Sequence, residues 1–187
     1  GCLRQLPYLG NIADARHWLP SQFVLAIGSE RTYLVRESIF RVTGLTEAHL
    51  CRLVHPFAQV SQTARVGLGT VIHYGCYVGS SVVLETGVYL APLVHVGHDT
   101  FIGAWSILAP GAIVCGHVRL EKSVYVGAGS MILSGIHVGR GALIGMGAVV
   151  TKDVPEGAVI VGNPGRVLRI QQNLTKDTEE SNLVCQR

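Results

Sequence analysis

The sequence predicts a mainly β protein: a parallel β-helix, preceded by a small α/β segment and followed by a short polar tail. Three observations predict it. From His55 to Val150 the chain divides without a gap into sixteen hexads, and the last position is Val, Ile or Leu in all of them. The fourth position is Ala, Ser, Thr, Val or Cys in every hexad but one, where it is Ile136. The first position is Gly in seven of the sixteen. A period of six fits neither a 3.6-residue helix nor a plain alternating strand. It fits a short strand and a bend, three of which close one triangular coil of eighteen residues. The aliphatic residue then points inward, the small residue fills the corner, and glycine relieves the bend.

Composition agrees. Of 187 residues, 48% are hydrophobic and only 14% charged, so the chain is globular rather than disordered. Aromatics make up 6% against 23 glycines, which suits a thin, regular core. The net charge of +3 comes from scattered Lys and Arg, with no run that would track phosphates, which argues against nucleic acid. Five cysteines, an odd number without a CxxC, read as thiols of a reducing, cytoplasmic compartment. No apolar run is long enough for a transmembrane helix, and the opening GCLRQLPYLGN lacks the form of a signal peptide.

Residues 1–54 read differently from the repeat. PYLGNIADARHWLP is a turn and short helix. QFVLAIGS is an apolar strand ending at Gly28-Ser29. ERTYLVRESIFRVTGL carries helical spacing and stops at a glycine. Strand, glycine turn and helix make half of a nucleotide-binding α/β unit. The β-helix is placed at 55–168 and the polar tail at 169–187, a short helix or a frayed end.

Within the repeat, GHDTFI puts His98 and Asp99 at the second and third hexad positions, in a bend and outside the core. Spacing alone leaves two readings: solvated turn residues, or a base with its carboxylate partner. A zinc site of the γ-carbonic anhydrase kind would need converging histidines. His95, His98 and His117 are near in sequence, but their hexad positions differ, so their side chains are expected to diverge. Trp105 reads as a surface packing or subunit-contact residue.

The repeat resembles the hexapeptide-repeat acyltransferases, whose fold is a left-handed parallel β-helix. TKDVPEGAVIVGNPGR resembles the segment that closes that helix, with Gly165 where the family usually has Ala. A small α/β segment ahead of the repeat is similar to the sialic acid O-acetyltransferase and nucleotide-aminosugar N-acetyltransferase group. The glycine-rich nucleotide loop with which that group normally begins is absent from this sequence. VHVGHDTFIG resembles the group's stretch that ends in His-acidic-x-x-Ile-Gly.

The resemblance implies His98 as general base and Asp99 as its partner, with the Gly116 N–H as oxyanion donor. It implies acetyl-CoA as co-substrate, lying between subunits of a homotrimer along Ile107, Gly116, Ala128 and Met146, with Lys152 toward a phosphate. Gly28 and Ser29 are implied to lie beside a nucleotide sugar. The expected reaction is acetylation of the 4-amino group of a nucleotide-linked aminodeoxysugar. The alternatives are O-acetylation of sialic acid or a related sugar, a non-catalytic scaffold, and a γ-carbonic-anhydrase-like metalloenzyme. An imidazole suits the base because its ordinary pKa, about 6.5, lies near working pH.

Overall fold

A computed structural model describes residues 9–171; the tail from residue 172 lies outside the described residues. The chain is a parallel β-solenoid. Seventeen two-residue strands, β1 (Leu53–Val54) to β17 (Val149–Val150), recur every six residues. The register steps eighteen residues per coil: Leu53 pairs with Val71, Val71 with Tyr89, Tyr89 with Ile107, and Ile107 with Tyr125. Three parallel sheets of eight, six and five strands result, the largest extended by the closing hairpin. We call these the first, second and third faces, in the order the chain visits them from Leu53.

The core is the hexad pattern made solid. Every last-position residue from Ile72 to Val150 is at most 2% exposed, and these side chains stack with the fourth-position residues in one cluster. Each such Val, Leu or Ile contributes about 1.5–3 kcal/mol by leaving water.

The glycines divide into two jobs, where the sequence suggested one. First-position glycines serve close approach. A Cβ on Gly97 would stand 2.5 Å from the Gly116 amide nitrogen, and one on Gly67 2.5 Å from the Glu85 carbonyl carbon. The left-handed backbone lies instead at the third position. It is Gly in many hexads but Ser81, Leu93, Asp99, Trp105, His117 and Ser123 in six.

The solenoid closes through β18 (Ala158–Val161), which continues the first face, and β19 (Arg166–Ile170), which turns back antiparallel on it. Gly165 has a local reason: a Cβ there would stand 2.9 Å from Ile160 Cγ2 and 3.0 Å from the Val149 oxygen.

The N-terminal segment departs from the expected α/β unit. Ile12–Trp18 is a 3₁₀ helix, and α1 (Arg36–Val42) follows a 3₁₀ turn at Tyr33–Val35. The QFVLAIGS stretch is not a strand. It makes one isolated bridge, Phe23 to Leu50, because its edge meets no other extended segment among the described residues. Its packing is nonetheless firm: Leu25, Ile39, Phe40, Leu45 and Leu50 form a second core with Trp105. Trp105 is therefore 4% exposed beneath α1, 5.2 Å from the Phe40 ring, and not a surface residue as expected. Among the described residues no helix is long and apolar enough to cross a membrane.

Candidate active site

His98 and Asp99 occupy the corner between the second and third faces, after the strand His95–Val96 and before Phe101–Ile102. Adjacent side chains on an extended chain point apart. Here Asp99 has φ of 54°, and this left-handed turn brings its carboxylate back to the ring. The Asp99 N–H donates to the Ser80 carbonyl at 2.9 Å, holding the turn to the coil below. His98 Nδ1 lies 2.8 Å from Asp99 Oδ2. With the Nδ1 proton donated to that carboxylate, Nε2 keeps the lone pair. The side chains are 58% and 47% exposed, so a substrate reaches them directly.

The ring lies over the next coil. A Cβ on Gly116 would stand 2.8 Å from His98 Nε2, so the imidazole fills the space a side chain would take. Among the described residues the Gly116 N–H has no protein acceptor, while its carbonyl receives the Gly135 N–H. One coil along and one residue on, the His117 N–H donates to the His98 carbonyl at 2.9 Å. The His117 ring meets the His98 ring edge-on, with centroids 4.9 Å apart at 88°. His117 was expected to point elsewhere. It converges because His98 leans along the solenoid axis and the left-handed His117 backbone, φ 58°, turns its side chain back. One ligand atom each from His98, Asp99 and His117 lies within 4.8 Å of the others, a set able to hold a metal ion. His95 is not part of it; its ring stacks on Tyr77 across the second face, 4.7 Å away.

The other expected site residues fall on separate parts of the chain. Lys152, exposed, stands in the last turn of the His98 corner, three coils on, roughly 14 Å at about 4.8 Å per coil. Ala128 and Met146 stand on the corner between the first and second faces, Met146 at 80% exposure. Ile107 lies on the first face, 4% exposed. A Cβ on Gly28 would stand 2.6 Å from its Cδ1, so Ile107 packs beneath the N-terminal segment and offers no side chain to a cofactor groove. Ser29 uses its hydroxyl at home: it accepts the Arg31 N–H and contacts Thr32 Oγ1 at 3.2 Å.

Arg36 had no signal in the sequence. It is fully buried and, among the described residues, pairs with no carboxylate. Its guanidinium donates to four carbonyls: Ile27 at 2.9 Å, Gly87 at 2.7 Å, Trp105 at 3.0 Å and Leu25 at 3.2 Å. Burial pulls its pKa down to about 10, with Tyr89 opposing, so it stays charged at neutral pH. It ties the segment leading to Gly28 onto two coils of the solenoid.

Repeat and fold together define a hexapeptide-repeat protein. Residues 117–152 match the family described as bacterial transferase hexapeptide (six repeats). The fold is shared with the acetyltransferase domain of PglB from Neisseria gonorrhoeae, also solved with acetyl coenzyme A. It is 29% identical, with a TM-score of 0.80 over 90% of this chain and 82% of that one. It is shared too with PerB from Caulobacter crescentus, solved in complex with CoA and GDP-perosamine. That protein is 25% identical, with a TM-score of 0.76 over 84% of this chain and 75% of that one. A curated relative, the 2,3,4,5-tetrahydropyridine-2,6-dicarboxylate N-acetyltransferase of Staphylococcus aureus, is 40% identical over 87 residues, 45% of this chain. The match spans about a third of that relative's length, 36%.

Proposed function

We propose that the protein transfers acetyl from acetyl-CoA to the 4-amino group of a nucleotide-linked aminodeoxysugar, with His98 as general base. The observation that carries this is the His98–Asp99 pair beside the unpaired Gly116 N–H. Asp99 orients the ring and stabilises the imidazolium. The neutral amine attacks the thioester carbonyl carbon, and its proton passes to Nε2. The Gly116 N–H donates to the oxyanion of the tetrahedral intermediate. The C–S bond then breaks, and CoA leaves as the thiol with the proton from His98. Direct transfer needs no acyl-enzyme. The relatives favour an amine: one was solved with GDP-perosamine and CoA, another is named as an N-acetyltransferase.

The complete site forms between copies. His98, Gly116 and Lys152 stand on one corner, Ala128 and Met146 on another, and Gly28-Ser29 against the first face. A single chain keeps these apart, whereas neighbouring solenoids packed side by side bring one chain's corner against another's. The second face and its bordering corners supply the apolar contact: Leu93, Met131, Leu133 and Met146 are 60, 47, 54 and 80% exposed. A homotrimer with three such grooves accounts for both observations. Acetyl-CoA runs along the groove by Gly116, Ala128 and Met146, and Lys152 meets a phosphate.

Formation of acetylated product from acetyl-CoA with UDP-, GDP- and dTDP-linked 4-aminosugars, and with free sialic acid, tests this. Turnover with an aminosugar that falls at least about a hundredfold in His98→Ala is the expected result, since a positioned base is worth about 10²–10⁴. Turnover with sialic acid alone, or turnover that survives the substitution, overturns the acceptor or the base respectively.

A further inference from the structure

We propose that the His98 corner also binds a divalent transition-metal ion through His98, Asp99 and His117, and that the bound ion withdraws the base from acetyl transfer. The second part rests on the reading of His98 as the base; the first does not.

The ligands suit such an ion. Two imidazoles and a carboxylate match zinc and its neighbours, which take nitrogen and oxygen donors and leave a coordination position to water. All three side chains are exposed, so the ion enters from solvent. Zinc at about 2.0–2.1 Å from each donor needs the donors about 3.3 Å apart in a tetrahedron. His98 and Asp99 already lie at 2.8 Å. The remaining separations, up to 4.8 Å, close by about 1.5 Å of motion at exposed side chains.

The backbone makes the arrangement more than a chance meeting of surface residues. Asp99 and His117 both sit in the left-handed region, φ 54° and 58°, at the hexad position that Gly111, Gly129, Gly135, Gly141 and Gly147 fill elsewhere. That conformation costs a residue with a Cβ about 1–2 kcal/mol. The cost is met in three successive coils of this corner, at Ser81, Asp99 and His117, and in the last two it turns a potential ligand toward His98. The amides of both residues are locked by hydrogen bonds, Asp99 to Ser80 and His117 to His98, each at 2.9 Å. His117 has no part in the acetyl-transfer chemistry above, so its convergence is otherwise unexplained.

The consequence is chemical exclusion. With the metal on Nδ1, the neutral imidazole carries its one proton on Nε2, where no lone pair is left for the amine proton, and an Asp99 oxygen on the metal no longer orients the ring. No redox step or additional reactant is involved; the ion and the proton compete for one base.

The test uses the full chain and Zn²⁺ as probe. Titration calorimetry should show about one ion bound per chain, weakened at least about tenfold in His117→Gly and in Asp99→Asn, as loss of a ligand does. Glycine is the natural replacement at 117, since Gly135 holds the same place in the next coil. Acetylated product, followed by chromatography so that the CoA thiol does not serve as readout, should fall at least about tenfold at saturating Zn²⁺ and recover with a chelator. His117→Gly should keep its metal-free turnover within about twofold and need at least about tenfold more Zn²⁺ for half-inhibition.

Unchanged affinity in both variants overturns the metal site. Stoichiometric binding that leaves turnover intact overturns the competition. Thiols are a rival location, Cys115 being half-buried in the same corner. Binding lost in Cys115→Ala but kept in His117→Gly also overturns the site. Calorimetry decides the site even if no acceptor is turned over, which separates its failure from that of the proposed reaction.

Discussion

The imidazole of His98 stands where a side chain on Gly116 would stand, with Nε2 2.8 Å from the position of that missing Cβ. The proposed base and the proposed oxyanion donor are thus held one coil apart, by the stacking distance of the solenoid and by the absence of a methyl group. Gly116→Ala should therefore act through His98. We expect kcat to fall by about 10² with a thermal midpoint close to wild type, because the exposed ring swings away instead of straining the core. Steady-state kinetics beside a melting curve checks it. Full activity in a folded Gly116→Ala protein would show that the ring position does not matter.

Met131 and Met146 lie on apolar ground, at 47 and 80% exposure, that the proposed trimer would cover. Met131→Glu should convert a trimer to monomers in sedimentation velocity and abolish turnover, while circular dichroism stays that of a folded solenoid. The reason is the unpaired charge placed in the contact. A wild-type protein that sediments as a monomer contradicts the intersubunit site directly.

Arg36 donates to four carbonyls in a place closed to water. Arg36→Met keeps much of the volume but leaves those acceptors without donors. A loss of at least about 3 kcal/mol is expected from denaturant unfolding. The N-terminal segment should loosen first, which hydrogen exchange at residues 23–28 would report.

Glu37 of α1 pairs with Lys122 of the solenoid and, at 2.9 Å, with Arg41. Partial burial pushes its carboxyl up, but Lys122 and Arg41 outweigh this and hold it below the usual carboxylate range. A lowered carboxylate contributes stability that is complete above its unfolded value, about 4.3, and is lost as pH falls through the folded value. Thermal midpoints of wild type and Glu37→Gln should differ most near neutral pH and converge as pH falls below about 4.3 and through the lowered folded value. A gap that stays constant through that range would remove this pair from the acid response.

The solenoid was legible from residue types because its rule is local and repeated. Each sixth residue faces inward whatever lies around it, so sixteen aliphatic residues in phase define the strands, the register and the core. His98 and Asp99 were legible too, being neighbours in the chain at a bend. The tertiary structure alone decided how the coils meet at that bend. It separated glycines that admit a neighbouring backbone from those that turn left-handed, and it set Gly116 under His98. It carried His117 to His98, buried Trp105 and Ile107 beneath the N-terminal segment, and closed Arg36 over four carbonyls. Most of these relationships join residues eighteen or more positions apart, through backbone angles and side-chain directions that a hydrophobic period does not encode. A period records which side of the sheet a residue faces; the distance between two exposed side chains is set only when one coil lies on the next.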